Sequence, residues 1–165
     1  NVLDLNQWQK NRLTKIVVEK LFGNISEKKI AILGFAFKSK TNDTRESSAI
    51  DICKNLLQEG SNLSIYDPKV KAIQIENELN QKQNLNLESQ NKAKWDFSKS
   101  IQSCVKGADA ILILTEWEEF EHLDWNMISK LMRKPSWIFD TRSTNNIDLA
   151  KEYGLNIWIL GNGKS

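Results

Sequence analysis

Three cationic side chains follow apolar runs in this sequence, and together they could bind an anion. Lys38 and Arg45 lie in a polar stretch after the run 30–33, and Arg142 comes shortly after a separate run at 137–139. Arginine offers paired N–H donors and lysine a point charge, so a phosphate or diphosphate would complement this set. The alternative is that each cation pairs with a nearby carboxylate, the candidates being Asp43, Glu46 and Asp140.

The elements that must position these cations are short apolar runs alternating with helical patterns. The runs that predict strands are 30–33, 63–66, 110–114, 137–139 and 155–160. Helical spacing is found at 5–21, 47–59, 125–133 and 147–153, and in a further helix that follows 95–97 and runs through about Lys106. Strands alternating with helices over short connections predict a parallel sheet that is covered on both faces. We therefore expect an α/β fold, a Rossmann-like doubly wound three-layer sandwich with a mainly parallel sheet, preceded by a helix that leads into it.

Ligands of such sheets bind outside the carboxyl ends of the strands. The residues expected at that edge are Gly34 to Lys38, Asp67-Pro68, Thr115 to Trp117 and Asp140 to Arg142. The stretch after Gly34 is not GxGxxG, so a full dinucleotide-binding fingerprint is absent there, although the glycine itself admits a close backbone approach or an unusual φ.

Other residues near this edge have structural interpretations. Thr44 or Ser47 is expected to cap the helix that follows the polar stretch. Trp117 and Phe120 are expected to pack under their loop, whereas Thr115 and Glu116 could orient neighbouring loops or a ligand. Residues 69–94 are rich in Asn, Gln, Lys and Glu and predict a solvated helix and a loose surface excursion.

Composition narrows the function classes. The 165 residues are 40% hydrophobic, which suits one globular core, and the net charge of +2 creates no field that would favour nucleic acid or an anionic membrane as partner. His122 is the single histidine, and neither Cys53 nor Cys104 has metal-ligand spacing, so we expect no metal site. Both cysteines fit buried structural positions, which favours a reducing, cytoplasmic setting. The sequence shows no signal peptide and no long apolar span.

Several stretches in the same order resemble the C-terminal domain of the UDP-glucose 6-dehydrogenase family, within the nucleotide-sugar dehydrogenases. The resemblance runs through the helix 6–21 and the motifs at 28–38, 41–47, 65–70, 115–117 and 139–142. It implies that residues 1–24 form a linker helix from a central domain and that residues 25–165 form the UDP-sugar-binding domain. Asn1 starts partway into an amphipathic helix, so we expect a segment of a longer protein.

The resemblance also implies roles for the cations. Phe37 and Lys38 would lie against the UDP-sugar, Lys38 and Arg142 would supply polar or charged contacts to it, and Arg45 would reach toward NAD bound on an amino-terminal domain. No catalytic residue is expected in this chain, because the family's cysteine nucleophile lies in the central domain and neither cysteine here matches its motif. Thr141 stands where the family usually has glycine, which leaves open whether the backbone near Arg142 follows the family's course.

Three interpretations follow for the function. The first is the UDP-binding domain of an NAD-dependent UDP-glucose 6-dehydrogenase, which converts UDP-glucose, two NAD and water to UDP-glucuronate and two NADH. The second is the same domain of a UDP-N-acetylmannosamine or GDP-mannose dehydrogenase. The third is a non-catalytic nucleotide-binding or interaction module. By resemblance, the full-length protein forms a homo-oligomer, whereas the fragment can be a monomer.

Overall fold

The computed structural model describes residues 6–36, 47–82, 94–144 and 146–160. Its strands are β1 (Lys29–Leu33), β2 (Asn62–Tyr66), β3 (Trp95–Phe97), β4 (Ala110–Ile113), β5 (Trp137–Asp140) and β6 (Asn156–Ile159). Its helices are α1 (Gln7–Lys20), α2 (Ser48–Gln58), α3 (Ala72–Leu79), α4 (Ile101–Val105), α5 (Trp125–Leu131) and α6 (Ile147–Glu152), with a 3₁₀ helix at Glu118–His122.

All neighbouring strands of the described sheet pair in parallel, in the order β3-β2-β1-β4-β5-β6. The chain winds outward from β1 in one direction and from β4 in the other, with helices α1 to α3 packed together and α4 to α6 packed together. This arrangement confirms the predicted doubly wound α/β fold. It also places a topological switch point between β1 and β4, where the carboxyl ends of the strands border a crevice.

The two central strands form the middle of the core. Ile30 to Leu33 of β1 and all four residues of β4 are fully buried. Parallel strands covered on both faces are apolar throughout rather than alternating, which explains why these runs were recognisable in the sequence.

Local capping sets where helices begin. Ser47 is the N-cap of α2, and its hydroxyl accepts a hydrogen bond from the Ala49 N–H at 3.2 Å. This confirms one of the two predicted caps, while Thr44 lies outside the described residues. Asn6 caps α1 with a reciprocal bond to Gln9.

Helix α1 packs against α2 rather than projecting from the domain. Leu13 and Val17 are buried in the common core, and the Lys10 ammonium lies 2.7 Å from the Asp51 carboxylate of α2. None of the helices that the structure describes is long and apolar enough to cross a membrane.

Two elements differ from the sequence interpretation. Residues 95–97 form the edge strand β3, to which the sequence pattern assigned no strand, and the loop after β4 contains a 3₁₀ helix. The polar region 69–94 contains α3, as expected, but Ile75 and Leu79 anchor this helix in the core. Residues 83–93 of that region lie outside the described part of the chain.

Candidate functional site

The loops that follow β1, β2 and β4 are joined through one buried carboxylate. Asp67, directly after β2, is 3% exposed. Its Oδ2 accepts hydrogen bonds from the N–H groups of Phe35 and Ala36, at 2.8 and 3.0 Å, and from the indole Nε1–H of Trp117 at 3.1 Å. Its Oδ1 accepts from the N–H groups of Lys69 and Val70, at 2.8 and 3.0 Å. One side chain therefore ties three loops together at the carboxyl edge.

The backbone after β1 also approaches Thr115, which follows β4, very closely. Gly34 has a φ of +100°, and a Cβ built there would lie 2.5 Å from the Thr115 Cβ. The Thr115 hydroxyl donates to the Ala36 carbonyl at 3.0 Å. The sequence offered a close approach or an unusual φ at Gly34, and the structure shows both. Thr115 orients the neighbouring loop, which is one of the two roles predicted for it.

Carbonyl groups of the same loop are held from the other side by the helix cap. The Ser47 hydroxyl donates to the Phe35 carbonyl at 2.8 Å and lies 3.3 Å from that of Ala36. Together with Asp67 and Thr115, this hydroxyl leaves the polar backbone groups of residues 35 and 36 satisfied within the protein. The start of the loop that leads to Phe37 is therefore held rigidly before any ligand binds.

Arg142 lies at the same edge, after β5. Its Nε donates to the carbonyl of Leu114 at 2.9 Å, and its backbone N–H donates to Asp140 Oδ1 at 2.8 Å. The fully buried Asp140 carboxylate also accepts from the N–H and the hydroxyl of Thr144, at 2.7 and 3.0 Å. Asp140 thus organises its own loop, and the guanidinium is oriented by the end of β4.

Thr141 does not need the backbone freedom of a glycine. The positive φ in this loop lies at Ser143, with a value of 56°. Thr141 itself is 2% exposed, and its hydroxyl donates to the Ile113 carbonyl at 2.8 Å. The side chain consequently adds a bond between the loop and β4, and Arg142 keeps its place at the carboxyl edge.

The predicted site residues are only partly covered by the structure. Arg142 lies where the sequence placed it, at the carboxyl end of β5. Phe37, Lys38 and Arg45 lie outside the described residues, so their convergence on Arg142 stays a prediction.

Two open clefts in the described part of the chain do not include Arg142 in their linings. One, of about 630 Å³, lies between α1 and α2, beside Thr14 and Gln58. The other, of about 490 Å³, lies at the carboxyl end of β2, beside Tyr66 and Lys69. The carboxyl-end loops, which meet at Asp67, mark the candidate site; residues 37–46 lie outside the described part of the chain.

Sequence comparison decides the family. The family model described as "UDP-glucose/GDP-mannose dehydrogenase family, UDP binding domain" matches residues 31–147, which include β4 and the Arg142 loop. The chain belongs to this family.

Curated relatives of this UDP-binding domain extend the match over nearly the whole chain. UDP-glucose 6-dehydrogenase 2 of Arabidopsis thaliana is 39% identical over 177 residues, and UDP-glucose 6-dehydrogenase of Drosophila melanogaster is 40% identical over 160. Both alignments cover 97% of this chain but only 35% and 34% of the relatives. The chain therefore spans about a third of the length of the curated relatives that it matches.

Solved structures agree on the fold of the UDP-binding domain. An NDP-N-acetyl-D-galactosaminuronic acid dehydrogenase from Methanosarcina mazei Go1 superposes with a TM-score of 0.70 at 22% sequence identity. The superposition covers 92% of this chain and 28% of the other. At this identity the likeness supports the doubly wound architecture alone.

Neither cysteine is placed to act as a nucleophile. Cys53 and Cys104 are free thiols with no exposed surface. Burial raises the pKa of Cys53 far above its usual value and the pKa of Cys104 to about 12, so both stay protonated at neutral pH. This agrees with the expectation that both cysteines are structural.

The raised thiol pKa values predict low reactivity in the folded protein. At pH 8, iodoacetamide should leave Cys53 and Cys104 unmodified, and both should react once urea exposes them, because the thiolate is the reacting form. Mass spectrometry of the peptides that contain each cysteine measures this. Alkylation of either residue in the folded protein at the rate of a free cysteine would contradict the structural assignment.

Sequence reasoning missed the role of Asp67 and Asp140, although it placed both at the carboxyl edge. The signal that could have revealed it is a lone acidic residue directly after an apolar run. A carboxylate at the end of a buried strand must find donors, and the nearest donors belong to the loops at that edge.

Proposed function

We propose that this chain is the UDP-binding part of an NAD-dependent UDP-glucose 6-dehydrogenase, which oxidises UDP-glucose with two NAD and water to UDP-glucuronate and two NADH. The observation that carries the proposal is the placing of Arg142, whose guanidinium lies beside Leu114 at the end of β4. A ligand in the crevice at the switch point would meet this cation. The names of the curated relatives favour glucose as the sugar.

The residues of this chain bind and orient the substrate rather than carry out the chemistry. Arg142 offers paired donors to the diphosphate, and Lys38, which follows β1 in the sequence, offers a point charge. Phe37 packs against the UDP-sugar. The preformed loop at residues 34–36 lowers the ordering cost of binding, since its backbone bonds exist before the ligand arrives.

NAD accepts the hydride in this reaction, but the residues present here do not form a site for it alone. The sequence contains no GxGxxG fingerprint. We therefore assign NAD mainly to an amino-terminal domain of the full-length protein and give Arg45 the contact to it from this side. The full-length protein is proposed to form a homo-oligomer. The two free thiols support the cytoplasm as its compartment.

The proposed function predicts a stoichiometry and a substrate preference. The full-length protein, incubated with NAD and limiting UDP-glucose, should produce two NADH for each UDP-glucose consumed, as measured by absorbance. UDP-N-acetylmannosamine and GDP-mannose are tested as alternative substrates in separate, parallel assays. NADH formation with either of these but not with UDP-glucose would reassign the sugar, and no NADH with any of the three would contradict a dehydrogenase.

A further inference from the structure

We infer that Asp67 is a positioning residue for the UDP-sugar site, acting through the backbone that leads to Phe37 and Lys38. The inference rests on the proposed function, because it assumes that the loop after β1 contacts the nucleotide sugar. Asp67 itself is buried and shares its oxygens among five donors of the protein, so it acts on the ligand through the loop.

The chemistry of this position requires two acceptor oxygens. Three N–H groups point at Oδ2 and two at Oδ1. The two oxygens of a carboxylate provide about four lone-pair sites, so the three donors at Oδ2 share its two sites. An asparagine has the same shape but only one acceptor oxygen. Its amide N–H₂ would face either the donors of the β1 loop or those of Lys69 and Val70, and buried donors left without an acceptor are costly.

The bonds of Asp67 complete the restraint on the β1 loop. Asp67 holds the N–H groups of Phe35 and Ala36, while Ser47 and Thr115 hold the carbonyl groups. Because a peptide unit is planar, fixing the Ala36 carbonyl sets the plane of the peptide bond that leaves Ala36. Losing Asp67 releases the N–H side of this restraint, and the positions of Phe35 and Ala36 are then held by their carbonyl groups alone.

The N–H groups that donate to Asp67 belong to loops at one edge of the sheet and not to residues that are paired within the sheet. Phe35 and Ala36 follow β1, Lys69 and Val70 follow β2, and Trp117 follows β4. A carboxylate in this position holds three loops in fixed positions relative to one another. In catalysis, a misplacement of about 1 Å caused by a distant mutation can cost about a hundredfold in rate, so the relative position of these loops matters for groups that must meet a substrate.

The test uses Asp67→Asn in the full-length protein, with Asp109→Asn as the matched control. Asp109 is also a buried carboxylate that accepts a backbone hydrogen bond, from the Lys29 N–H at 3.0 Å, but it lies at the opposite edge of the sheet. Calorimetric titration with UDP, well below the melting temperature of each variant, measures affinity separately from stability. We expect Asp67→Asn to raise the Kd for UDP about tenfold or more, because a loop that is no longer preorganised must be ordered on binding, and Asp109→Asn to change it less than about twofold.

Each outcome decides a different point. If the unaltered protein does not bind UDP, the proposed function fails regardless of Asp67. If it binds and Asp67→Asn binds equally well, the inference is overturned while the proposed function stands. If both variants lose UDP affinity equally, the loss is a general effect of removing a buried carboxylate, and the inference is also overturned.

A second variant keeps the test decisive if Asp67→Asn does not accumulate in folded form. Trp117→Phe removes one of the five donors to Asp67 and should raise the Kd for UDP about threefold. Trp95→Phe is its control, because Trp95 is also buried and also donates one indole bond, to the Gln81 carbonyl, at the edge strand β3. Identical Kd values for the two tryptophan variants would contradict the positioning role.

Discussion

Replacing Arg142 by alanine is expected to weaken UDP binding by the full-length protein about tenfold to a hundredfold. The reason is the net loss of one charge-assisted hydrogen bond to the diphosphate, which contributes about 1.5–3 kcal/mol when well formed. The Leu114 carbonyl already orients the guanidinium through its Nε before a ligand binds. Calorimetric titration with UDP measures the change in Kd.

Two further variants separate the role of the charge from that of the geometry. Arg142→Lys keeps the charge but loses the paired donors and the bond through Nε, so its Kd should lie between those of the unaltered protein and of Arg142→Ala. Arg133→Ala removes an exposed arginine whose neighbour is Asp109, at the opposite edge of the sheet, and should leave the Kd unchanged. An Arg142→Ala variant that binds UDP as tightly as Arg133→Ala does would remove Arg142 from the site.

The largest loss of stability is expected for Gly34→Ala. A methyl group there would lie 2.5 Å from the Thr115 Cβ and 2.8 Å from its backbone nitrogen, and the φ of +100° strains any residue with a Cβ. The backbone nitrogen cannot rotate away as the end of a side chain could. We expect the free energy of unfolding to fall by about 3 kcal/mol or more, and the melting temperature by about 10 °C.

Gly107→Ala is the matched control for this effect. Gly107 also has a positive φ, of +72°, but a methyl group at this position would meet no atom within 4 Å. Replacing Gly107 by alanine should lower the free energy of unfolding by about 1 kcal/mol, because the positive φ alone is unfavourable for alanine. Thermal denaturation followed by circular dichroism compares the two variants, and equal melting temperatures would show that the close approach to Thr115 carries no cost.

Much of the fold could be predicted because its signals are local. The runs 30–33 and 110–114 are continuous apolar stretches, typical of strands that are covered on both faces, and they became β1 and β4. Ser47 was predictable as a cap because capping depends on the two or three residues that follow. The same local pattern placed Arg142 at the carboxyl edge.

What could not be predicted depends on residues far apart in sequence. The three residues of β3 are too few to show a periodicity, and they form a strand because they pair with β2, Leu63 lying opposite Trp95. The role of Asp67 depends on Phe35 and Trp117, which lie 32 and 50 residues away in the chain. Nothing in the spacing of these residues indicates that their polar groups meet.

The departure at Thr141 shows the limit of reading a motif by its letters. A glycine in a family motif suggests a backbone that only glycine adopts, yet here the positive φ belongs to Ser143. Thr141 forms a hydrogen bond to β4 through its hydroxyl, which a glycine could not make. The position of Arg142 is therefore compatible with threonine before it.

The structure of the full-length protein with UDP bound is the most direct test of the proposed site. We expect the diphosphate at the carboxyl edge of the sheet, within hydrogen-bonding distance of the Arg142 guanidinium and near Ala36. The uridine nucleotide found elsewhere, for example in the cleft between α1 and α2, or bound with Arg142 directed away from it, would contradict this assignment.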